Sequence, residues 1–393
     1  MRVTGVICEF NPLHRGHAYL LHRLRQQGAE AIVCAMSGNF VQRGGTALVH
    51  KLARAEMAVA CGADLVLELP TPWAMATAET FARGGAALLD MAGCDSIGFG
   101  SECGDGAVLC RTAETLLSPA LQADIRQELS AGITYAAARQ RAAARLLGDD
   151  AAVLRQPNDT LAVEYLKAIR ARGSAMTPVV IQRIGAAHDG GAAAESASAS
   201  HIRQLIGKGA VAAACGYMPE AAAAVLRREL TAGRVTDPAW TERLVLARLR
   251  EMPEEAFLPY DGGGEGLYHR LYGAVRRCAG MAELLESVKT KRYTAARIRR
   301  MVYAAWLQLA PTPGELPYAR VLAANETGRR VLRQMQRRGQ PVLTKAADAA
   351  ALGTAAEVLF RQEARCTDLY TLTYRALEQS LPDSDWRLTP VMI

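Results

Sequence analysis

An apolar run at Val3–Ile7 leads into Glu9-Phe10-Asn11-Pro12-Leu13-His14-Arg15-Gly16-His17, and a helical pattern follows over 17–27. A strand, a proline-turned loop and a helix in this order form an anion site, because free backbone N–H groups and the positive end of the helix dipole meet at the junction. Gly16 lets a phosphate approach the backbone closely. His14 and His17 lie three residues apart, so their imidazoles project to the same side and can donate to developing negative charge.

Short apolar runs recur along the first half of the chain. They predict strands at Val3–Ile7, Ala31–Met36, Leu65–Leu69, Ser96–Phe99 and Val179–Ile181. Helical patterns over 17–27, 51–61, 74–92, 107–147 and 159–172 lie between them. This alternation predicts an α/β fold with a mainly parallel sheet covered on both faces. Ligands of such sheets bind beyond the carboxyl ends of the strands, so the residues after each strand are the candidates for chemistry.

The second half is rich in helix-forming residues and in positive charge. Helices are predicted over 218–232, 236–251, 266–288, 293–309, 326–338 and 346–363. The net charge of +7 is uneven, since residues 1–150 hold 13 Lys and Arg against 15 Asp and Glu, whereas residues 265–345 hold 16 against 5. We therefore expect an α/β domain over 1–205 and a basic, mainly α-helical domain over 206–393. A polyanionic partner and a solvated arginine-rich surface both explain the charge.

The composition excludes several classes of protein. Of 393 residues, 50% are apolar and 22% charged, which is typical of a globular protein and not of a disordered one. No run approaches the roughly 18 apolar residues of a membrane span, and no secretory signal precedes Glu9. The nine cysteines are scattered without a CxxC pair, which predicts reduced core thiols in the cytoplasm and no metal site. The chain lacks a P-loop, and Gly98-x-Gly100 does not continue as GxGxxG.

Two motifs resemble those of a known superfamily. His14-Arg15-Gly16-His17 is similar to the HxGH signature of the HIGH-superfamily nucleotidyltransferases, and Ser198-Ala199-Ser200-His201-Ile202-Arg203 resembles their S-x-[ST]-x-I-R signature. The resemblance implies a Rossmann-like domain in which a nucleophile attacks the α-phosphate of ATP and pyrophosphate leaves. The two motifs would close over ATP from opposite sides, with His14, His17, Ser198 and Arg203 as catalytic residues. Without the first motif, 196–203 also fits a polar linker with a serine helix cap.

The resemblance extends to the bacterial tRNA(Met) cytidine acetate ligase family. It rests on 9–17 together with Met36-Ser-Gly-Asn-Phe-Val-Gln-Arg-Gly44, Phe99-Gly-Ser-Glu102, Pro157-Asn-Asp159 and Arg292-Tyr-Thr294. It implies that ATP, with Mg²⁺, and acetate form acetyl-adenylate, which acetylates N4 of the wobble cytidine of elongator tRNA(Met), without a DNA or membrane partner. The family more often has aromatic and Asn residues where Leu13 and Arg15 stand, and threonine in place of Ser200.

The resemblance assigns site residues by position. ATP would contact Ile7, Cys8, Glu9, Phe10, Asn11, Pro12, Leu13, His14, Arg15, Gly16, His17, Ala18, Tyr19, Leu20, Gly100, Asn158 and Arg183. Acetate would lie at Ser37, Gly38 and Asn39, whose small size and polar donors suit a tiny anion. Judged from the residues alone, Gly100 also fits a turn, Asn158 or Asp159 a helix N-cap, and 37–44 an ordinary loop between a strand and a helix.

Basic side chains form two stripes in the second half. Phosphate contacts from one helix face would position tRNA, and we assign them to Lys289, Lys291, Arg292, Arg297 and Arg300; a second stripe comprises Arg329, Arg330, Arg333, Arg337 and Arg338. Either stripe alone fits a solvated face.

Arg54, in the second predicted helix, is expected to face solvent. Two competing functions share the first motif: a small-molecule adenylyltransferase of the pantetheine-phosphate or nicotinamide-mononucleotide type, and an RNA-binding protein with a vestigial nucleotide site.

Overall fold

The computed structural model describes residues 1–133, 135–183, 198–262, 264, 266–290, 292–312 and 314–393. Within them, eight strands form one sheet. The strands are β1 (Val3–Cys8), β2 (Ala31–Ser37), β3 (Leu65–Leu69), β4 (Ser96–Ser101), β5 (Thr177–Gln182), β6 (Ala319–Ala324), β7 (Val342–Leu343) and β8 (Val391–Met392). The five strands predicted in the first half are confirmed, each to within a few residues.

Helices cover the sheet and build a separate helical layer. In the first half they are α1 (Arg15–Gln26), α2 (Lys51–Ala60), α3 (Thr71–Ala74), α4 (Ala78–Ala92), α5 (Gly106–Leu117), α6 (Pro119–Ser130), α7 (Tyr135–Leu147) and α8 (Pro157–Ala171). The second half adds α9 (Ala199–Gly207), α10 (Val211–Cys215), α11 (Glu220–Thr231), α12 (Pro238–Glu251), α13 (Leu267–Arg277), α14 (Met281–Val288), α15 (Ala295–Leu307), α16 (Glu326–Arg337), α17 (Thr354–Thr371) and α18 (Ser384–Arg387). Short 3₁₀ helices lie at Gly148–Arg155, Glu254–Tyr260, Ala346–Leu352 and Leu377–Gln379.

The strand order places the first loop at a natural binding position. It runs β5-β4-β1-β2-β3-β6-β7, with β8 pairing with β6. The first five strands are parallel. The chain moves outward from β1 through β2 to β3 and then returns to β4 on the other side of β1. The order therefore reverses between β1 and β4, and the loop after β1 opens at this switch point, where open α/β sheets bind ligands.

Three apolar clusters hold the molecule together. Alternate strand residues, such as Val33 and Cys34, belong to different clusters, one on each face of the sheet. The third cluster contains apolar residues of helices α12, α13, α14, α15 and α17. The ring of Phe40, from the loop after β2, inserts into this cluster. Phe40 meets Trp306 and Tyr370 edge to face, with 6.0 Å between ring centroids in each pair. This insertion fixes the helical layer against the carboxyl end of β2.

Three predicted helices are divided in the structure. The pattern over 346–363 is a 3₁₀ helix, Ala346–Leu352, followed after Gly353 by α17. The single helix over 107–147 is three helices, because Ser118 caps α6 and Pro119 begins it. The pattern over 266–288 likewise divides into α13 and α14, with Gly280 at the start of α14.

The second half, moreover, is not purely helical. It returns to the sheet with β6, which pairs antiparallel with β3, and with β7 and β8. The division at 205/206 stays a prediction, and the sheet spans it.

Candidate active site

The two histidines after β1 form a stacked pair at the start of α1. Their ring centroids are 3.7 Å apart, and the ring of Phe10 packs edge-on against His17 at 5.0 Å. His14 is the N-cap, and its Nδ1 accepts from Gly16 N–H at 3.1 Å, while His17 Nδ1 accepts from His14 N–H at 3.3 Å. Both rings therefore carry their proton on Nε2, which leaves two Nε2–H donors on the same side of the helix end.

Both imidazoles stay neutral at physiological pH. Burial and the nearby Arg183 guanidinium lower the pKa of His14 to about 4. Burial, His14 and Arg183 hold the pKa of His17 well below its ordinary value. The pair thus acts as neutral hydrogen-bond donors and not as an imidazolium pair. Such donors, fixed before reaction, stabilise negative charge that develops on a bound phosphate.

The second motif meets the first loop directly. Ser198 caps α9 by accepting from His201 N–H at 3.2 Å, which confirms its predicted capping role. One turn later, Arg203 donates to the carbonyl oxygen of Asn11 at 2.6 Å and to Ser200 Oγ at 3.0 Å. The Asn11 side chain in turn accepts from Leu48 N–H at 2.7 Å. The half-buried Arg203 is therefore fixed beside the histidine loop, although Asn11 and Arg203 are 192 residues apart in the sequence.

Residues at the ends of β4 and β5 form a third group. A Cβ on Gly100 would lie 3.3 Å from Arg183 Cγ, so a side chain at this position would make a close contact with Arg183. Arg183 donates its backbone N–H to Ser101 O at 2.9 Å, and its Nε lies 3.9 Å from Glu102 Oε1. The Asn158 amide donates to the same Glu102 carboxylate. The three residues predicted for this part of the site are thus neighbours.

The predicted N-cap at 158 or 159 is wrong. Helix α8 begins at Pro157, with Gln156 as its N-cap, because proline fits the first helical position. Asp159 is completely buried instead and accepts from Ser101 Oγ at 2.5 Å, from Glu102 N–H at 2.8 Å and from Cys103 N–H at 3.1 Å. Asp159 therefore holds the turn after β4. The sequence gives no signal for this role, because Asp159 and Ser101 are 58 residues apart.

The loop predicted for acetate borders the same crevice. Ser37 ends β2, and its hydroxyl is buried without a hydrogen-bond partner among the described residues. A Cβ on Gly38 would lie 2.6 Å from Glu68 Oε1, so no larger residue fits. The Asn39 side chain accepts from Lys51 N–H at 2.9 Å and donates to Thr367 Oγ1 at 3.1 Å. The Asn39 amide therefore ties this loop to α2 and α17.

A buried ionic network lies beneath this loop. Lys51 Nζ is 2.7 Å from Glu68 Oε1 and 2.7 Å from Asp385 Oδ2, and Arg320 Nη1 is 2.9 Å from the same Asp385 oxygen. All four side chains are at most 8% exposed. Asp385 lies in α18, so the network ties the end of the chain to α2, β3 and β6. No local sequence pattern indicates this network, because its partners are separated by up to 334 residues.

The expectation that Arg54 faces solvent is wrong. Its side chain is fully buried, since α2 packs one face against β3 and β6. Every hydrogen bond that it donates ends on a backbone carbonyl oxygen. No sequence signal distinguished it from a surface arginine on an alanine-rich helix.

The first basic stripe lies next to the loop after β2. Gly44, at φ +79°, packs so tightly that a Cβ would lie 2.6 Å from the backbone nitrogen of Arg300. Arg300 and Arg297 occupy the first two turns of α15; Arg297 donates to Asp261 O at 3.1 Å and lies 5.2 Å from the ring centroid of Tyr293. Arg292 is exposed, and exposed Lys289 pairs with Glu286 at 3.4 Å. Lys291 lies outside the described residues.

The second stripe begins at the opposite edge of the sheet. Helix α16 starts after Asn325, which donates to Asp64 Oδ1 at 2.9 Å, and Asp64 immediately precedes β3. Arg329 and Arg330, exposed in the first turn of α16, therefore lie at the amino edge of the parallel strands. The histidine loop lies at their carboxyl edge.

In the described part of the chain, no helix is long and apolar enough to cross a membrane. The same residues contain no cluster of three or more His, Cys, Asp or Glu side chains that could hold a metal ion.

Comparisons with known proteins agree with this geometry. A family model described as HIGH Nucleotidyl Transferase matches residues 1–385. The tRNA(Met) cytidine acetate ligase of Caldanaerobacter subterraneus subsp. tengcongensis is 34% identical over 95% of this chain and 96% of its own. The ligase of the same name from Syntrophotalea carbinolica is 38% identical over 88% of this chain and 85% of its own. The chain belongs to the tRNA(Met) cytidine acetate ligase family, within the HIGH nucleotidyltransferases.

Solved structures of this family share the whole fold. The crystal structure of Thermotoga maritima TmcAL bound with alpha-thio ATP superimposes with a TM-score of 0.92 at 29% identity, over 100% of both chains. The apo form of the same protein gives a TM-score of 0.94 at 29% identity, again over 100% of both chains. The predicted fold class and family are therefore confirmed. The individual site residues remain predictions, which their placement makes testable.

Proposed function

We propose that this protein activates acetate with ATP and transfers the acetyl group to N4 of the wobble cytidine of elongator tRNA(Met). The observation that carries the proposal is the junction of the two motifs, where Arg203 is bonded to the loop that presents the His14 and His17 Nε2–H donors. Its support from comparison is the sequence identity to tRNA(Met) cytidine acetate ligases and the likeness to TmcAL with its bound ATP analogue.

In the first step, a carboxylate oxygen of acetate attacks the α-phosphorus of ATP, and the bond to pyrophosphate breaks. Negative charge accumulates on the phosphate oxygens. In this proposal the two imidazole N–H groups and the Arg203 guanidinium donate to these oxygens without reorganisation during the reaction. Ser198, at the N-terminus of α9, contributes a helix end of positive potential on the same side.

In the second step, the amine N4 of cytidine attacks the acyl carbon of acetyl-adenylate. A C–N bond forms, AMP leaves, and the amine loses one proton. Cytidine N4 is a poor nucleophile, so the mixed anhydride is what makes the step possible. Arg297 and Arg300 on α15, beside Gly44, are our assignments for tRNA phosphate contacts near this crevice.

A Mg²⁺ ion fits this site only as a partner of the nucleotide. Since the described residues offer no carboxylate cluster for a metal, Mg²⁺ would take polyphosphate oxygens and water as ligands, as it commonly does. When bound, it would neutralise phosphate charge. Arg203 and the histidine pair would still orient the α-phosphate.

The test is incubation with ATP, labelled acetate and total bacterial tRNA, followed by nucleoside analysis. We expect label in N4-acetylcytidine of elongator tRNA(Met) alone, with a requirement for ATP. A His17→Ala variant serves as the inactive control. Label transferred to a small soluble acceptor, with no requirement for RNA, would instead identify a small-molecule adenylyltransferase.

A further inference from the structure

Arg54 is an unusual buried cation. It lies one turn into α2, is fully inaccessible to solvent, and donates four hydrogen bonds. Its Nε donates to Val49 O at 3.1 Å, its Nη1 to Glu9 O at 2.7 Å and to Ser37 O at 3.1 Å, and its Nη2 to Gly38 O. These four acceptors belong to three segments: the loop after β1, the loop after β2 and the residue before the α2 cap.

No carboxylate neutralises this guanidinium directly. Within the described residues Arg54 forms no ion pair, and its bonds all end on neutral carbonyl oxygens. Burial lowers the pKa of Arg54, whereas Tyr370, Glu9, Cys8 and Glu68 raise it. A guanidinium remains protonated in proteins. An incompletely neutralised charge in a buried site favours the binding of an anion nearby.

The carbonyl bonds also decide where two N–H groups point. In a trans peptide the carbonyl oxygen and the following N–H face opposite directions. Since the oxygens of Glu9 and Gly38 face Arg54, the N–H groups of Phe10 and Asn39 point away from it. Neither N–H has a hydrogen-bond partner among the residues that the structure describes. Most buried backbone N–H groups are paired, so two unpaired donors at adjacent strand ends indicate a ligand.

The backbone at this point is under strain. Phe10 has φ +46°, a left-handed conformation that non-glycine residues rarely adopt. The bond from Arg54 to Glu9 O and the burial of the Phe10 ring, which is 1% exposed, hold this conformation. Strain of this kind persists only where the surroundings enforce it, and it is concentrated at ligand sites.

We infer that Arg54 is a positioning residue which holds the ends of β1 and β2 so that Phe10 N–H and Asn39 N–H bind the carboxylate of the small acid substrate. The inference rests on the proposed function and specifies how acetate is held. The two N–H groups suit the two oxygens of a monoanionic carboxylate. The buried Ser37 hydroxyl, which has no hydrogen-bond partner among the described residues, lies two positions before Asn39 at the end of β2. The positive charge of Arg54 adds electrostatic attraction for the substrate carboxylate.

The test uses Arg54→Lys and Arg54→Gln in acetate-dependent ATP–pyrophosphate exchange. Lysine keeps the charge but cannot reach carbonyl groups of three segments, and glutamine also removes the charge. We expect the KM for acetate to rise about 10-fold in Arg54→Lys and about 100-fold in Arg54→Gln, as loss of charged hydrogen bonds does. The KM for ATP should rise less than the KM for acetate, because His14, His17 and Arg203 remain, although the bond from Arg54 to Glu9 O in the same loop is weakened.

Arg25 provides a matched control. It also donates to backbone carbonyl oxygens, those of Ala29 and Gly62. Unlike Arg54, it forms an ion pair, with Asp64, and it lies at the opposite edge of the sheet. Arg25→Lys and Arg25→Gln should lower the melting temperature and leave the KM for acetate unchanged. Unchanged acetate KM in Arg54→Lys, or an equal rise for ATP, overturns the inference alone. Absence of exchange in the wild-type protein overturns the proposed function and the inference together.

A second measurement keeps the test independent of variant folding. The sequence contains one Glu-Phe pair, at Glu9-Phe10, and one Gly-Asn pair, at Gly38-Asn39. Pairwise labelling with ¹³C-carbonyl and ¹⁵N therefore isolates each amide as a single NMR signal in the wild-type chain. Acetate added to protein saturated with a non-hydrolysable ATP analogue should shift both amide protons downfield. Signals that do not respond to acetate would overturn the inference.

Discussion

The guanidinium of Arg203 donates to the backbone carbonyl oxygen of Asn11 across 2.6 Å. This bond joins the end of β1 to the start of α9, two elements that are remote in sequence. We propose that Arg203 acts on the same phosphate as the histidine pair, and the loop that carries His14 holds the Arg203 side chain in place. Burial and Arg43 lower the pKa of Arg203, whereas Glu9 raises it, so the charge is partly desolvated and acts strongly on a bound anion.

Replacement of Arg203 tests this relationship. Arg203→Ala should lower the rate of ATP–pyrophosphate exchange by about 10²-fold or more, since it removes a charged donor to the phosphate. Arg203→Lys should recover part of the rate, because the charge returns without the second bond to Ser200. The measurement is exchange kinetics with ATP titrated. Equal rates for wild type and Arg203→Ala would exclude contact between this side chain and the nucleotide.

Replacement of His17 tests the donor pair. His17→Ala should lower acetate-dependent exchange by about 10²-fold or more, because a donor to the transition state is lost. The pH profile of the wild type should show no loss from imidazole titration between about pH 8 and 5, since the pKa of His14 is about 4 and that of His17 is well below its ordinary value. An effect on tRNA binding with exchange intact would contradict the assignment.

His22 provides the matched control. It lies exposed on the same helix and pairs with Gln26 at 2.9 Å, so His22→Ala should leave exchange unchanged. A similar loss in both variants would indicate damage to α1 and not removal of a catalytic donor.

Short sequence patterns predicted the parts of the site whose residues lie close together in the sequence. The strand–loop–helix order around 9–17 correctly indicated a helix N-terminus at the carboxyl end of a strand, and the spacing of His14 and His17 correctly put both rings on one side. The Ser198 cap was likewise readable from its position before α9. In each case the interacting groups lie within one helical turn, so sequence spacing determines their geometry.

Contacts between distant segments could not be predicted in this way. Arg54 resembles a surface arginine on an alanine-rich helix, and only the packing of α2 buries it. β6 carries the run Ala319–Ala324, but helical patterns surround it, and its place beside β3 depends on tertiary pairing. Asp385 pairs with Lys51, although the two residues are 334 positions apart in the sequence. Such pairs carry no periodicity, so a single sequence gives no signal for them.

Salt dependence tests the assignment of the first basic stripe. The slope of log K against log[salt] for tRNA binding should be about −0.7 to −0.9 per phosphate contact. Arg297→Ala combined with Arg300→Ala should flatten this slope by roughly 1–2 units, because two contacts are lost. Affinity for ATP should change little. Unaltered tRNA affinity and slope in the double variant would favour the small-molecule adenylyltransferase.

The second stripe supplies the control for this measurement. Arg329 and Arg330 lie at the amino edge of the sheet and are exposed, whereas Arg297 and Arg300 are partly buried. If the tRNA approaches the crevice beside Gly44, replacing both by alanine should change the slope far less than the pair on α15. An equal change would mean that the tRNA also covers the opposite edge.

The buried carboxyl group of Glu363 makes stability depend on pH. Burial and the neighbouring Glu68 raise its pKa to about 8, against the opposing effect of Lys51 and Thr71. Between about pH 4.5 and 8 the folded state therefore keeps a proton that the unfolded state releases, so this contribution to stability declines as the pH rises through that window. Glu363→Gln keeps an acceptor for Thr71 N–H at 3.0 Å and a partner for Thr71 Oγ1 at 2.8 Å without the charge. At pH 9 we expect this variant to unfold at a higher temperature than wild type, with a free energy of unfolding larger by about 1 kcal/mol or more. At pH 5 the two melting temperatures should be nearly the same.

Melting curves of both proteins recorded from pH 5 to 9 measure this difference. If the melting temperatures of Glu363→Gln and wild type change in parallel with pH, Glu363 is already ionised in the folded protein.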